Sequence, residues 1–133
     1  MVAWSRRQAR ERALSLLYEA DAKGIRPTDV LAELPVAAEP FVVDVVTGVE
    51  DGQPDIDALI AGASIGWTLD RMAVIDRALL RIAVFELVSR PDVPVGAIVS
   101  EAVELAKQFS TEDSGRFVNG ILSAIASEVR PRG

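Results

Sequence analysis

Residues 69–90, LDRMAVIDRALLRIAVFELVSR, decide the fold. From Ala78 to Val88 almost every side of a helical repeat is apolar, with Arg81 and Glu86 the exceptions. A surface helix shows one apolar stripe; a helix greasy all round lies buried at the centre. Pro91 cannot continue the helix and closes it. The remaining segments must therefore supply elements that pack around this one.

Two do so downstream. PVGAIVSEAVELAKQF presents Ile98, Val99, Ala102, Leu105, Ala106 and Phe109 on one helical face. STEDSGRFVNGILSAIASEV opens on a capping-box-like pattern, Ser110 with Asp113 three residues on. Its stripe is Val118, Ile121, Leu122, Ile125 and Val129, and Pro131 ends it. Upstream, a helix from about Ser5 to Lys23 carries Ala9, Ala13, Leu16, Leu17 and Ala20, with Gly24 as its stop. A short helix in RPTDVLAEL takes Thr28 or Asp29 as cap. Pro40 starts a third helix through Val42, Val45, Val46 and Val49, ending near Gly52, and Pro54 opens a fourth with Ile56, Leu59 and Ile60 inward. FVVDVVTGV is β-branched, but no second strand exists to pair with it. The expectation is an all-α single domain of about seven helices joined by short loops.

Composition narrows the chemistry. The chain has 133 residues, 50% of them hydrophobic, with no cysteine and no histidine. Disulfides, thiolate nucleophiles, Ser–His and Cys–His catalysis and zinc sites built on those ligands are removed. No glycine-rich phosphate loop is present. No catalytic residue, metal or cofactor is expected. No apolar run reaches the roughly 20 residues of a membrane helix, and no signal-peptide core follows the first charges, which points to the cytoplasm and away from a membrane.

The charge is uneven. The net charge is −6, yet residues 1–12 hold Arg6, Arg7, Arg10 and Arg12 against Glu11, so the rest of the chain carries −9. A helix start has partial positive charge, and cations there are unfavourable. The arginines either solubilise a terminal helix or face a polyanion jointly with the helix start. Tyr18 follows Arg7 on the same side, roughly 16 Å along the axis; phosphates on arginines and a base on a ring suit single-stranded nucleic acid. A second patch is DSGRFVNG, where Phe117 lies off the centre of its helix's apolar stripe beside Ser114, Arg116 and Asn119. Phe117 fits a stacking platform or a core-edge residue, and Asn119 a base edge or the local backbone. In the central helix, Asp76, Arg77 and Arg81 fit either internal ion pairs or a contact surface.

These stretches together resemble the NusB family. The blocks RRQARERALSLLYEAD, WTLDRMAVIDRALLRIAVFEL and DVPVGAIVSEAVELAKQFSTEDSGRFVNGIL, with a basic RPRG end, cover nearly the whole chain in order. The resemblance implies a single RNA-binding domain over 1–133, two helical bundles around a central helix, and no catalysis. It implies binding to boxA, a short signal in nascent ribosomal RNA, together with a small-subunit ribosomal protein acting as NusE, within the antitermination complex of RNA polymerase. Carried over by position, Arg6, Arg7 and Arg10 fall in the RNA-contacting start, Tyr18 at a position important for function, Ser114, Arg116 and Phe117 in the RNA-contacting segment of the last helix, and Arg81 near the RNA and partner surface; with Asn119 these make the expected RNA-binding set. Asp76 and Asp113 fall near the partner or modulate it. Gly115 departs from the pattern and is expected to loosen Phe117. Monomer and homodimer both remain open, and a dimer through the first helix would cover the arginines. The alternatives are a detached RNA-targeting module related to the N-terminal domains of RNA methyltransferases, and a protein adaptor.

Overall fold

The computed structural model describes residues 4–130. The expected Pro131 stop and the basic end beyond Arg130 lie outside them. Six α-helices follow one another: α1 (Arg6–Lys23), α2 (Pro27–Ala32), α3 (Pro40–Ala63), α4 (Val74–Ser89), α5 (Val95–Phe109) and α6 (Glu112–Val129). One 3₁₀ turn, Leu69–Arg71, precedes α4, and no strand occurs among the described residues.

The count falls one short of seven because the segments expected to start at Pro40 and Pro54 form a single helix with Pro54 inside it. Proline in a helix interior costs about 3 kcal/mol. The apolar register explains why continuity prevails. Val42, Val45, Val46, Val49, Ile56 and Ile60 stay on one buried face across Pro54, so breaking the helix there would take Ile56 and Ile60 off the core.

Ser5 caps α1, accepting from the Gln8 N–H at 3.0 Å while the Gln8 side chain accepts from the Ser5 N–H at 2.9 Å. Gly24 ends α1 in the left-handed region at φ 66°, which a side chain would disfavour. The caps expected for α2 and α6 shift slightly. Arg26 precedes Pro27 at α2, and the Thr28 N–H and hydroxyl turn instead to the Glu50 carboxylate, each at 2.9 Å. At α6 the cap is Thr111, one residue past Ser110.

As the all-round apolar pattern requires, α4 is central. It packs on α1 and α3 on one side and on α5 and α6 on the other. Ten of its residues are buried, which makes it the shared wall of both bundles. Gly48 on α3 lets the Phe85 ring lie directly on the backbone; any Cβ there would collide with it. At the other end, Arg130 donates to the carbonyls of Glu86, Leu87, Arg90 and Val93, satisfying the open C-terminal end of α4 from the end of α6. No helix among the described residues is long and apolar enough to cross a membrane.

Candidate nucleic-acid interface

The arginines of α1 take three different directions. Arg6 is exposed, its guanidinium 4.2 Å from the centroid of the Phe41 ring at the start of α3. Arg7 reaches the other way and donates to Gln108 Oε1 at 3.0 Å, near the end of α5. Between them Arg10 turns inward, and its expected role is corrected. It is only 4% exposed. Its Nε and Nη2 donate to Glu86 at 2.8 and 2.7 Å, a forked pair, and Nη1 to Glu101. Burial opposes the charged guanidinium, but the bonds to Glu86 and Glu101 outweigh it and hold its pKa above the ordinary arginine value. Three of its five N–H donors go to two carboxylates, and at this burial the guanidinium is closed to phosphate.

Arg81 and Ser114 also leave the expected contact set. Arg81 Nε and Nη2 bind Asp57 of α3 at 2.8 and 3.0 Å, on the α1–α3 side of α4. Arg77 donates to Asp21 of α1 at 3.2 Å. Both are internal ties between helices, one of the two readings the sequence left open. Ser114 is buried, and its hydroxyl donates to Asp76 Oδ2 at 2.9 Å. It positions a carboxylate instead of facing a ligand.

Asp76 and Phe117 form the heart of a cleft of about 340 Å³. Trp67, Arg71, Met72, Ala73 and Asp76 line it from the α4 side, and Ser110, Thr111, Asp113, Ser114 and Phe117 from the α5–α6 corner. Trp67 meets Phe117 edge to face, with centroids 6.1 Å apart and planes at 72°. Asp76 sits in the first turn of α4, where the helix dipole favours a negative charge. Arg116 is exposed one residue before Phe117 and pairs with Asp113.

The Arg7–Gln108 bond joins the two patches. Gln108 stands two residues before Ser110, so Arg7 comes to the α5–α6 corner beside the cleft. Two expected contributors lie apart. Tyr18 is 48% exposed on α1 but does not line the cleft. Asn119 is exposed, but two helical positions past Phe117 turn it about 200° away. Gly115 does not loosen Phe117: it is helical and buried, and it admits the Lys107 stem, whose Cγ and Cε would lie 2.9 Å from any Cβ. Sequence reasoning passed over Trp67, Arg71, Ser110 and Thr111. Their signal was weak, a tryptophan in a loop and two hydroxyls ahead of a helix.

The NusB family pattern matches residues 7–127, which takes in Arg7, the cleft and the central helix. The chain belongs to the NusB family. The transcription antitermination protein NusB of Kineococcus radiotolerans is 48% identical over 126 residues, covering 92% of this chain and 93% of its own. That of Thermobifida fusca is 43% identical over 125 residues, covering 91% and 88%. Among solved structures, T. maritima NusB superposes with a TM-score of 0.88 at 32% identity, covering 98% of this chain and 96% of that one. A NusB chain solved as antitermination factors NusB and NusE in complex with dsRNA superposes with a TM-score of 0.79 at 28% identity, covering 92% and 96%. The arrangement around α4 is thus that of NusB proteins, with six helices doing what seven were expected to do.

Proposed function

We propose that this protein is a non-catalytic transcription antitermination factor that binds boxA in nascent ribosomal RNA together with a small-subunit ribosomal protein acting as NusE, within the antitermination complex of RNA polymerase. One observation supports the reading: Arg7 bonds Gln108 beside the α5–α6 corner that carries Phe117 and Arg116, on a body that is otherwise strongly acidic. Phosphates meet Arg6, Arg7 and Arg116, and an unstacked base meets Phe117. Tyr18, exposed on α1, is a second-rank contact, and Asn119, on the far side of α6 from Phe117, is not part of this surface. Asp113 holds Arg116 and sets how freely it turns to RNA. The acidic remainder repels nucleic acid elsewhere and suits a basic ribosomal partner. The protein acts as one unit over 1–133, in the cytoplasm where nascent RNA is made.

The test is binding of boxA RNA and a scrambled oligonucleotide, each with and without the ribosomal partner. The reading expects boxA to be preferred and the partner to tighten it. Equal, weak binding of both oligonucleotides in the presence of the partner would contradict it.

A further inference from the structure

We propose that the cleft between Trp67 and Phe117 holds one unstacked guanine of a single-stranded RNA, with the Asp76 carboxylate receiving its N1–H and N2–H donors. This rests on the RNA-binding reading above and adds to it a base preference and the residue that sets it.

Proton bookkeeping carries the inference. Ser114 Oγ lies 2.9 Å from Asp76 Oδ2 and 3.0 Å from the hydroxyls of both Ser110 and Thr111. A serine has one hydroxyl proton. Given to the carboxylate, it leaves Ser114 Oγ as an acceptor for Thr111, and the proton is not available to Ser110 as well. The hydroxyl cluster thus reaches only one carboxylate oxygen. The other, Oδ1, is buried and receives no hydrogen bond from the described residues. Asp76 is 6% exposed and lines the cleft, so a donor for this acceptor has to come from the cleft side. A buried acceptor without a donor is costly, and such a site is completed by a ligand that brings one.

The walls narrow the ligand. At about 340 Å³ the cleft is at the small end of ligand sites, suited to a single ring system. Trp67 and Phe117 meet edge to face, so a planar heterocycle lies flat on one ring with its edge against the other. Of the four bases, only guanine presents two adjacent donors, N1–H and the 2-amino group, to match the two carboxylate oxygens. Cytosine and adenine set an acceptor nitrogen beside their amino group, and uracil flanks its one N–H with two carbonyls; all three turn lone pairs towards the carboxylate. A partner protein's guanidinium has guanine's donor pattern, and Asp113 attracts it as Arg71 repels it, so competition by an arginine side chain is an outcome of the test; Arg71 suits the phosphate next to a base.

The experiment is fluorescence anisotropy of labelled uridine hexamers carrying one central guanine, inosine, adenine or cytosine, at one fixed salt concentration. Inosine keeps N1–H and loses only the 2-amino group. The wild-type protein should bind the guanine hexamer about fivefold or more tightly than the other three. Asp76→Asn should abolish that preference while the hexamers stay bound through the arginines. Equal binding of all four hexamers by the wild-type protein overturns the base pocket even if boxA itself is bound, and needs no variant. A guanine preference that survives Asp76→Asn also overturns it, as does displacement of the guanine hexamer by an arginine amide at concentrations where lysine amide has no effect. Failure to bind any hexamer or boxA would instead remove the RNA-binding reading beneath it.

Discussion

The central helix carries two buried acids ten residues apart, and their surroundings differ. Glu86, 1% exposed, has both carboxylate oxygens taken by the fork of Arg10, which is completed by Glu101. Asp76, 6% exposed, receives a side-chain hydrogen bond only from the Ser114 hydroxyl among the described residues, and one of its oxygens is unengaged. The first site is closed on itself and joins α1, α4 and α5. The second opens into a cleft with aromatic walls. A buried charge with every partner supplied by the fold is architecture, and one left short of a donor marks where a ligand completes the structure.

Removing one member of the closed site should have the largest effect. Arg10→Ala leaves Glu86 buried without its counter-charge and should cost about 3–5 kcal/mol, read as a fall in the urea midpoint. Pairing Arg10→Met with Glu86→Leu removes both charges and should recover most of that loss, as apolar replacements of whole buried pairs do. If the double variant is as unstable as the single one, the pair is more than an internally balanced tie. Neutralising each acid in turn separates the two sites next. Glu86→Gln should destabilise by about 3 kcal/mol. Asp76→Asn should leave stability unchanged or raise it by about 1 kcal/mol, because it removes a buried charge that no cation balances. Equal losses in the two variants would erase the contrast. The smallest effect belongs to the exposed Arg26–Asp29 pair, where hydrogen bonding to Arg26 holds the Asp29 carboxyl below its usual pKa. A depressed carboxyl contributes stability above its unfolded pKa and loses it as pH falls through the acid range. Solvent screens so exposed a pair, so Arg26→Ala should leave the urea midpoint at pH 7 unmoved.

Much of the fold was legible because it rests on apolar periodicity. The central position of α4, the faces of α5 and α6, and the limits of α1 with its glycine stop follow from spacing alone. The fusion across Pro54 was not, because a local rule about proline competed with a face that continues through it. Arg10 was misjudged for a related reason. Its charge grouped it with Arg6 and Arg7, but it shares a helical face with the buried Leu14 and Leu17, four and seven residues on. Glu86 was the matching clue, since an acid inside an all-round apolar helix needs a cation from elsewhere. The Trp67–Asp76–Phe117 cleft brings together residues up to 50 positions apart, and no spacing in the sequence reports such a meeting.

The central claim is that phosphates neutralise the guanidiniums left outside, those of Arg6, Arg7 and Arg116, while Arg10 serves the fold. The slope of log K against log salt for boxA RNA, measured for the wild-type protein and for Arg7→Ala, tests it most directly. Three contacts with a single strand predict a wild-type slope of about −2, flattened by about 0.7 in Arg7→Ala. A wild-type slope near zero, or the same slope in both proteins, would contradict it.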